Sequence, residues 1–167
     1  MKKADFWDFL AEYREDNRIE AKQARGGLPH SLWETYSAFA NTLGGVILLG
    51  VAEAEDKSLF AVPLPDPKAL VEEFWELVSD PTVVSANILQ PEDVQILRCE
   101  GVEIVVIFVP RADRHSRPVY IGRDPFTGTY YRRGEGDWRC PRHEVEAMLQ
   151  DQADADPLAD ILWNMVL

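Results

Sequence analysis

The apolar positions of this chain repeat with two different periods. Over residues 32–43, Leu32, Tyr36, Phe39, Ala40 and Leu43 recur at helical spacing and predict a helix with one apolar face. Ser31 and Glu34 at its start have the spacing of a capping box, in which the serine accepts from the third helical amide and the glutamate reaches back. Gly44 is placed to end the helix in the left-handed conformation, and Gly45 to let the chain turn. Residues 46–51, VILLGV, then read as one central strand covered on both faces.

The other elements arrange themselves around this pair. Residues 3–14 read as an amphipathic helix with Phe6, Phe9, Leu10 and Tyr13 on one face, and residues 18–22 alternate as a strand near an edge. The segment ARGGLPH connects these to Ser31, and a short strand at 59–62 follows the central one. Pro63, Pro65 and Pro67 separate it from a helix at 68–79, which turns Leu70, Val71, Phe74, Leu77 and Val78 inward. Residues 93–99 and 102–109 form a hairpin around Glu100-Gly101, and 119–122 with 129–133 form a second pair across a loop holding Pro125 and Gly128. Pro141 suits the first turn of a helix running to about residue 150, and Leu158, Ile161, Leu162 and Met165 give a helical apolar tail.

Composition narrows the class. A chain of 167 residues, 46% hydrophobic, is read as one domain with a substantial core. No stretch approaches the roughly 20 apolar residues of a membrane helix, and acids at Asp5 and Asp8 interrupt what would be the apolar core of a signal peptide. The expectation is a soluble, cytoplasmic protein with no membrane partner. Cys99 and Cys140 lie far apart without metal-ligand spacing, so no disulfide framework is expected. A net charge of −12 opposes simple attraction to nucleic acid. The distribution changes that picture, because residues 111–142 hold eight arginines against four acids.

Candidate chemistry falls into two groups. Lys22, Arg25, Arg117, Arg132, Arg133 and Arg139 supply donors for phosphates, and Trp138 among them offers a ring on which a base can stack. If 129–133 is a strand, Arg132 and Arg133 point to opposite faces and only one serves any given surface. Asn41-Thr42 with Gly44-Gly45 lacks the lysine and spacing of a Walker loop, and Asn41 reads as a structural residue bonding backbone at the turn. His30, His115 and His143 have no serine or cysteine partner at recognisable spacing, which argues against a nucleophilic hydrolase.

Four blocks carry a family resemblance: EDNRIEAK at 15–22, SAFANTLGGVILLGVAE at 37–53, the strand ending at Pro110 with Arg117-Pro118-Val119, and YYRRGEGDWRCPRHEVEAML at 130–149. Together they resemble the AlbA-like DNA-binding domain related to Schlafen proteins. The resemblance implies an α+β fold, a mixed and largely antiparallel sheet with flanking helices, over residues 1–150. Residues 151–167 are then a helical tail for packing, dimerisation or connection to a longer chain. It implies a non-catalytic nucleic-acid (DNA)-binding domain of a transcriptional regulator, without a cofactor. The alternative it implies is a Schlafen-like RNA endonuclease, in which Glu15, Glu20 and Glu53 hold Mg²⁺ or Mn²⁺ and act as catalytic carboxylates. Here Ala21 stands where an aromatic is usual and Glu53 where an aspartate is usual. A third reading is a protein-interaction or oligomerisation module, such as a homodimer formed through the apolar tail.

Overall fold

Two segments made almost entirely of aliphatic side chains, β2 (Gly45–Leu49) and β6 (Val102–Val109), lie side by side at the centre of the molecule. A computed structural model describes residues 3–154 and residue 165. In the main sheet, β1 (Ile19–Lys22) runs parallel to β2, β2 antiparallel to β6, and β6 antiparallel to β5 (Val94–Cys99), giving the order β1-β2-β6-β5. Alternation sends Val46, Leu48, Ile104 and Val106 to one face, where Phe6 and Leu10 of α1 (Lys3–Glu15) cover them. Ile47, Leu49, Val105 and Ile107 go to the other, under Tyr36 and Phe39 of α2 (Leu32–Asn41) and Phe74 of α3 (Pro67–Val78). Burying each such side chain stabilises the fold by about 1.5–3 kcal/mol, so a strand covered on both faces needs apolar residues at every position.

Smaller elements complete an α+β architecture: the ribbon β3 (Val51–Glu53) with β4 (Leu59–Ala61), the short helix α4 (Pro125–Gly128), the ribbon β7 (Tyr130–Arg133) with β8 (Gly136–Arg139), and α5 (Arg142–Asp154). The β5–β6 hairpin turns at Glu100-Gly101 with both residues left-handed, at φ 56° and 82°, as expected. β1 lies at the sheet edge, also as expected. No described helix is long and apolar enough to cross a membrane.

Four expectations are corrected. The strand expected at 46–51 breaks at Gly50, which adopts φ +84° where a Cβ would sit 2.8 Å from the Leu64 side chain. Its amide donates to the Lys22 carbonyl and its carbonyl accepts from Val62, so the chain leaves the main sheet and pairs β3 with β4. The capping box does not form. Ser31 is already helical at φ −65°, because the amides of Leu32 and Trp33 bond to Pro29 and His30 in a preceding turn. The Ser31 hydroxyl instead accepts from Lys22 Nζ at 2.9 Å. Leu43, placed on the apolar face by its spacing, is 58% exposed because α2 ends at Asn41. Residues 119–122 make only isolated bridges, Tyr120 to Thr129 and Ile121 to Val84, and 130–133 pair with 136–139 instead. The cause is Asn41, which bonds both the amide and the carbonyl of Val119 at 2.8 Å and so removes them from any ladder. α5 runs to Asp154, and most of the tail expected at 151–167 lies outside the described residues.

Candidate nucleic-acid interface

The polar side of α2 positions the site. Residues four apart share a helix face, so Ser37 and Asn41 look the same way. Ser37 Oγ donates to the Val119 carbonyl at 2.7 Å and accepts from the Tyr130 amide at 3.0 Å. Asn41 Nδ2 also donates to the Tyr130 carbonyl at 3.0 Å, and Thr42 Oγ1 accepts from the Arg132 amide at 3.0 Å. The Ser-x3-Asn-Thr part of the helix is therefore a bracket that fastens β7 to α2. Asn41 is structural as expected, although its backbone partners lie some eighty residues away in sequence and not at its own turn.

Arg132 is the second fastening. Its side chain is only 6% exposed and lies over the Phe39 ring, with the guanidinium carbon 5.0 Å from the centroid. It donates to Glu20 Oε2 at 2.9 Å, Asp137 Oδ1 at 2.8 Å, and the carbonyls of Asn17 at 2.8 Å and Ile19 at 3.1 Å. The other oxygen of Asp137 accepts from the buried Thr35 hydroxyl at 2.6 Å. A guanidinium held this way ties β7 to β1 and is not free to meet a phosphate, which removes Arg132 from the expected binding set.

Glu20 and Glu53 line one cavity of about 240 Å³ beside Arg14, Lys57, Arg132 and Glu135. Glu15, the last residue of α1, is exposed and lies outside that lining. As placed, the three acids do not converge: among the described residues no group of three or more His, Cys, Asp or Glu side chains is arranged to hold a metal ion. Glu20 already has Arg132 as its partner, and Lys57 stands 3.7 Å from Glu135. The structure thus joins two members of the trio in a polar cleft balanced by cations. Neither cysteine lines this cleft, and burial, aided by Glu144, pushes the Cys140 thiol up to about 11.

The basic candidates separate by face. Cross-strand partners share a side of a ribbon, so Tyr130, Arg132, Asp137 and Arg139 face α2 while Tyr131, Arg133 and Trp138 face outward. Trp138 is 57% exposed and sits directly across from Tyr131. Arg133 and Arg139 are exposed and pair with no carboxylate among the described residues. Lys22 is half-buried on Ser31, Arg25 lines a separate groove at the start of α3, and half-buried Arg117 precedes cis Pro118, so these three do not join the ribbon. Arg139 lines a larger cavity, about 800 Å³, together with Arg123, His30, Trp33 and Tyr130. Arg123 was hidden among the eight arginines of 111–142; its place beside the helix-starting Asp124-Pro125 pair is the only local signal it carries.

Fold and site together define an α+β domain in which a small-residue helix and a glycine turn hold an arginine- and aromatic-bearing ribbon against a mixed sheet. The chain belongs to the family described as Schlafen, AlbA_2, which it matches over residues 15–141. Among solved structures it is similar to the N-terminal domain of a RecG-related protein from Nitrosomonas europaea, with 32% identity, a TM-score of 0.59, and coverage of 84% of this chain and 94% of that one. It also shares its fold with the DIP2311 protein from Corynebacterium diphtheriae, at 21% identity and a TM-score of 0.53, over 83% of this chain and 25% of that one. No curated protein matches it.

Proposed function

We propose that this domain binds nucleic acid without chemistry of its own, as the recognition module of a DNA-associated regulator, through the outward face of the β7–β8 ribbon. The observation that carries the reading is the exposed Trp138 opposite Tyr131 with the unpaired Arg133 on the same face. A base stacked on such a ring contributes about 1–3 kcal/mol, and an arginine beside it meets the flanking phosphate. The relative from Nitrosomonas europaea, named as related to an ATP-dependent DNA helicase, supports the same assignment. The overall charge of −12 keeps binding local, because a strand laid beyond the ribbon meets repulsion.

The test is anisotropy with labelled single-stranded RNA, single-stranded DNA and duplex DNA across a salt series, with strand integrity followed on gels in Mn²⁺ and in EDTA. The expected result is binding without cutting, whose affinity falls with salt by about 0.7–0.9 per phosphate contact on a log–log plot. Trp138→Ala should weaken it by about 1 kcal/mol or more. Metal-dependent cutting that disappears in Glu20→Ala would establish the endonuclease instead. Neither binding nor cutting would leave a protein-interaction module.

A further inference from the structure

We infer that the cavity of about 800 Å³ beside the ribbon receives one unpaired nucleobase, which makes single-stranded nucleic acid the preferred ligand. This rests on the nucleic-acid reading of the ribbon and adds to it a pocket and a strand preference. The cavity lies between the start of α2, the chain after α3, and the segment around α4. Its wall is apolar, from Leu28, Trp33, Leu77, Val83 and Ile121, and its volume falls in the range of small-molecule sites. Arg123 and Arg139, both exposed, also line it.

Both carboxylates that line the cavity are engaged within the fold. Asp124 Oδ1 accepts from the Phe126 amide at 2.9 Å and caps α4. Glu34 Oε1 accepts from the Tyr130 hydroxyl at 3.4 Å. The groups left for an incoming ligand are an apolar wall, two guanidinium groups for an anion, the His30 ring, and the second carboxylate oxygens of Glu34 and Asp124. That is the complement of a nucleotide: a flat ring, a phosphate, and an exocyclic amino group that a carboxylate can accept from.

The ribbon connects pocket and surface. Trp138 and Arg139 are consecutive in β8 and point to opposite faces, so a chain passing over the ribbon edge meets the indole on one side and the cavity on the other. A single strand can make that bend and splay a base. A duplex must first unstack and unpair one. Glu34 further favours amino-bearing bases, because cytidine offers its N4 amino group as a donor at the position where thymidine carries the O4 carbonyl, an acceptor that a carboxylate repels.

Short labelled oligodeoxycytidine, oligodeoxythymidine and a blunt duplex of equal length are titrated against the parent protein, Thr127→Trp, Glu34→Gln and Trp138→Ala. Thr127 is an exposed lining residue whose hydroxyl makes only a 3.4 Å bond to the Asp124 carbonyl, so tryptophan fills the cavity and leaves the outward face of the ribbon, with Tyr131, Arg133 and Trp138, unaltered. The expected result is that Thr127→Trp lowers affinity for oligodeoxycytidine about tenfold, the effect of losing one stacked base, and leaves duplex binding unchanged. Glu34→Gln is expected to abolish the preference for cytidine over thymidine. If circular dichroism shows that Thr127→Trp misfolds, the Glu34→Gln comparison decides alone, and an unchanged base preference overturns the inference. Undiminished single-strand binding by folded Thr127→Trp, alongside weakened binding by Trp138→Ala, overturns the pocket while the ribbon reading stands. A parent protein that binds none of the three probes removes both.

Discussion

Arg132 and Arg133 are neighbours in one strand, carry the same charge, and meet opposite fates. On the inward face of the ribbon, Arg132 is wrapped by two carboxylates, two carbonyls and a ring. On the outward face, Arg133 stands in solvent beside Trp138 and Tyr131. The difference shows that an arginine-rich segment is not one feature. Strand alternation divides it into residues that build the domain and residues that remain available to a partner. Within 111–142, Arg114 and Arg142 stand between these fates, exposed but paired with Asp151 at 3.0 Å and Glu146 at 3.1 Å.

The sharpest way to break this comparison is to remove each arginine in turn. Arg132→Ala leaves Glu20 and Asp137 without their buried counter-charge, and urea denaturation should show a loss of about 3–5 kcal/mol. A loss as small as that of a surface arginine would mean the inward network contributes nothing.

A second, smaller effect tests whether another buried polar group on α2 is held as firmly by its partners. The Tyr36 hydroxyl donates to the Ala86 carbonyl at 2.9 Å and accepts from the Ile88 amide at 3.1 Å, and burial pushes its pKa up to about 12 from 10.0. The folded state therefore holds this proton more tightly than the unfolded chain does. Its contribution is whole below pH 10 and declines as pH rises towards 12, by roughly 2–3 kcal/mol. Tyr36→Phe should lack that alkaline decline, while losing about 1–2 kcal/mol at neutral pH through two unpaired backbone groups. Parallel pH–stability curves for parent and variant would contradict the assignment.

The smallest expected stability effect is the most informative about function. Arg133→Ala should change stability by no more than about 0.5 kcal/mol. It should also lower the salt slope of nucleic-acid binding by about 1, the mark of one lost phosphate contact. If stability drops while the slope stays the same, the two faces are not divided as described.

Much of this was legible in residue order. The apolar runs of β2 and β6, the glycine stop after α2, the Glu100-Gly101 hairpin and the edge position of β1 all follow from local periodicity and turn chemistry, which act over a few residues. The four blocks at 15–22, 37–53, the strand ending at Pro110 with Arg117-Pro118-Val119, and 130–149 together pointed to the Schlafen-related AlbA-like family. The opposition of Arg132 and Arg133 was readable for the same reason, since a strand has a period of two.

What sequence could not reach depends on partners far along the chain. Nothing near Ser31 announces that Pro29 and His30 already carry the helical turn, or that Lys22 takes its hydroxyl. Asn41 prevents a ladder at Val119 from 78 residues away, and Gly50 redirects the chain because Leu64 and Val62 occupy the space beside it. Which arginine is bound and which is free, and whether Glu20 faces a cation or a cleft, was likewise decided only by packing. Periodicity specifies which side of an element is apolar, but the partners of its polar side are fixed only once distant segments compete for the same donors and acceptors in a folded interior.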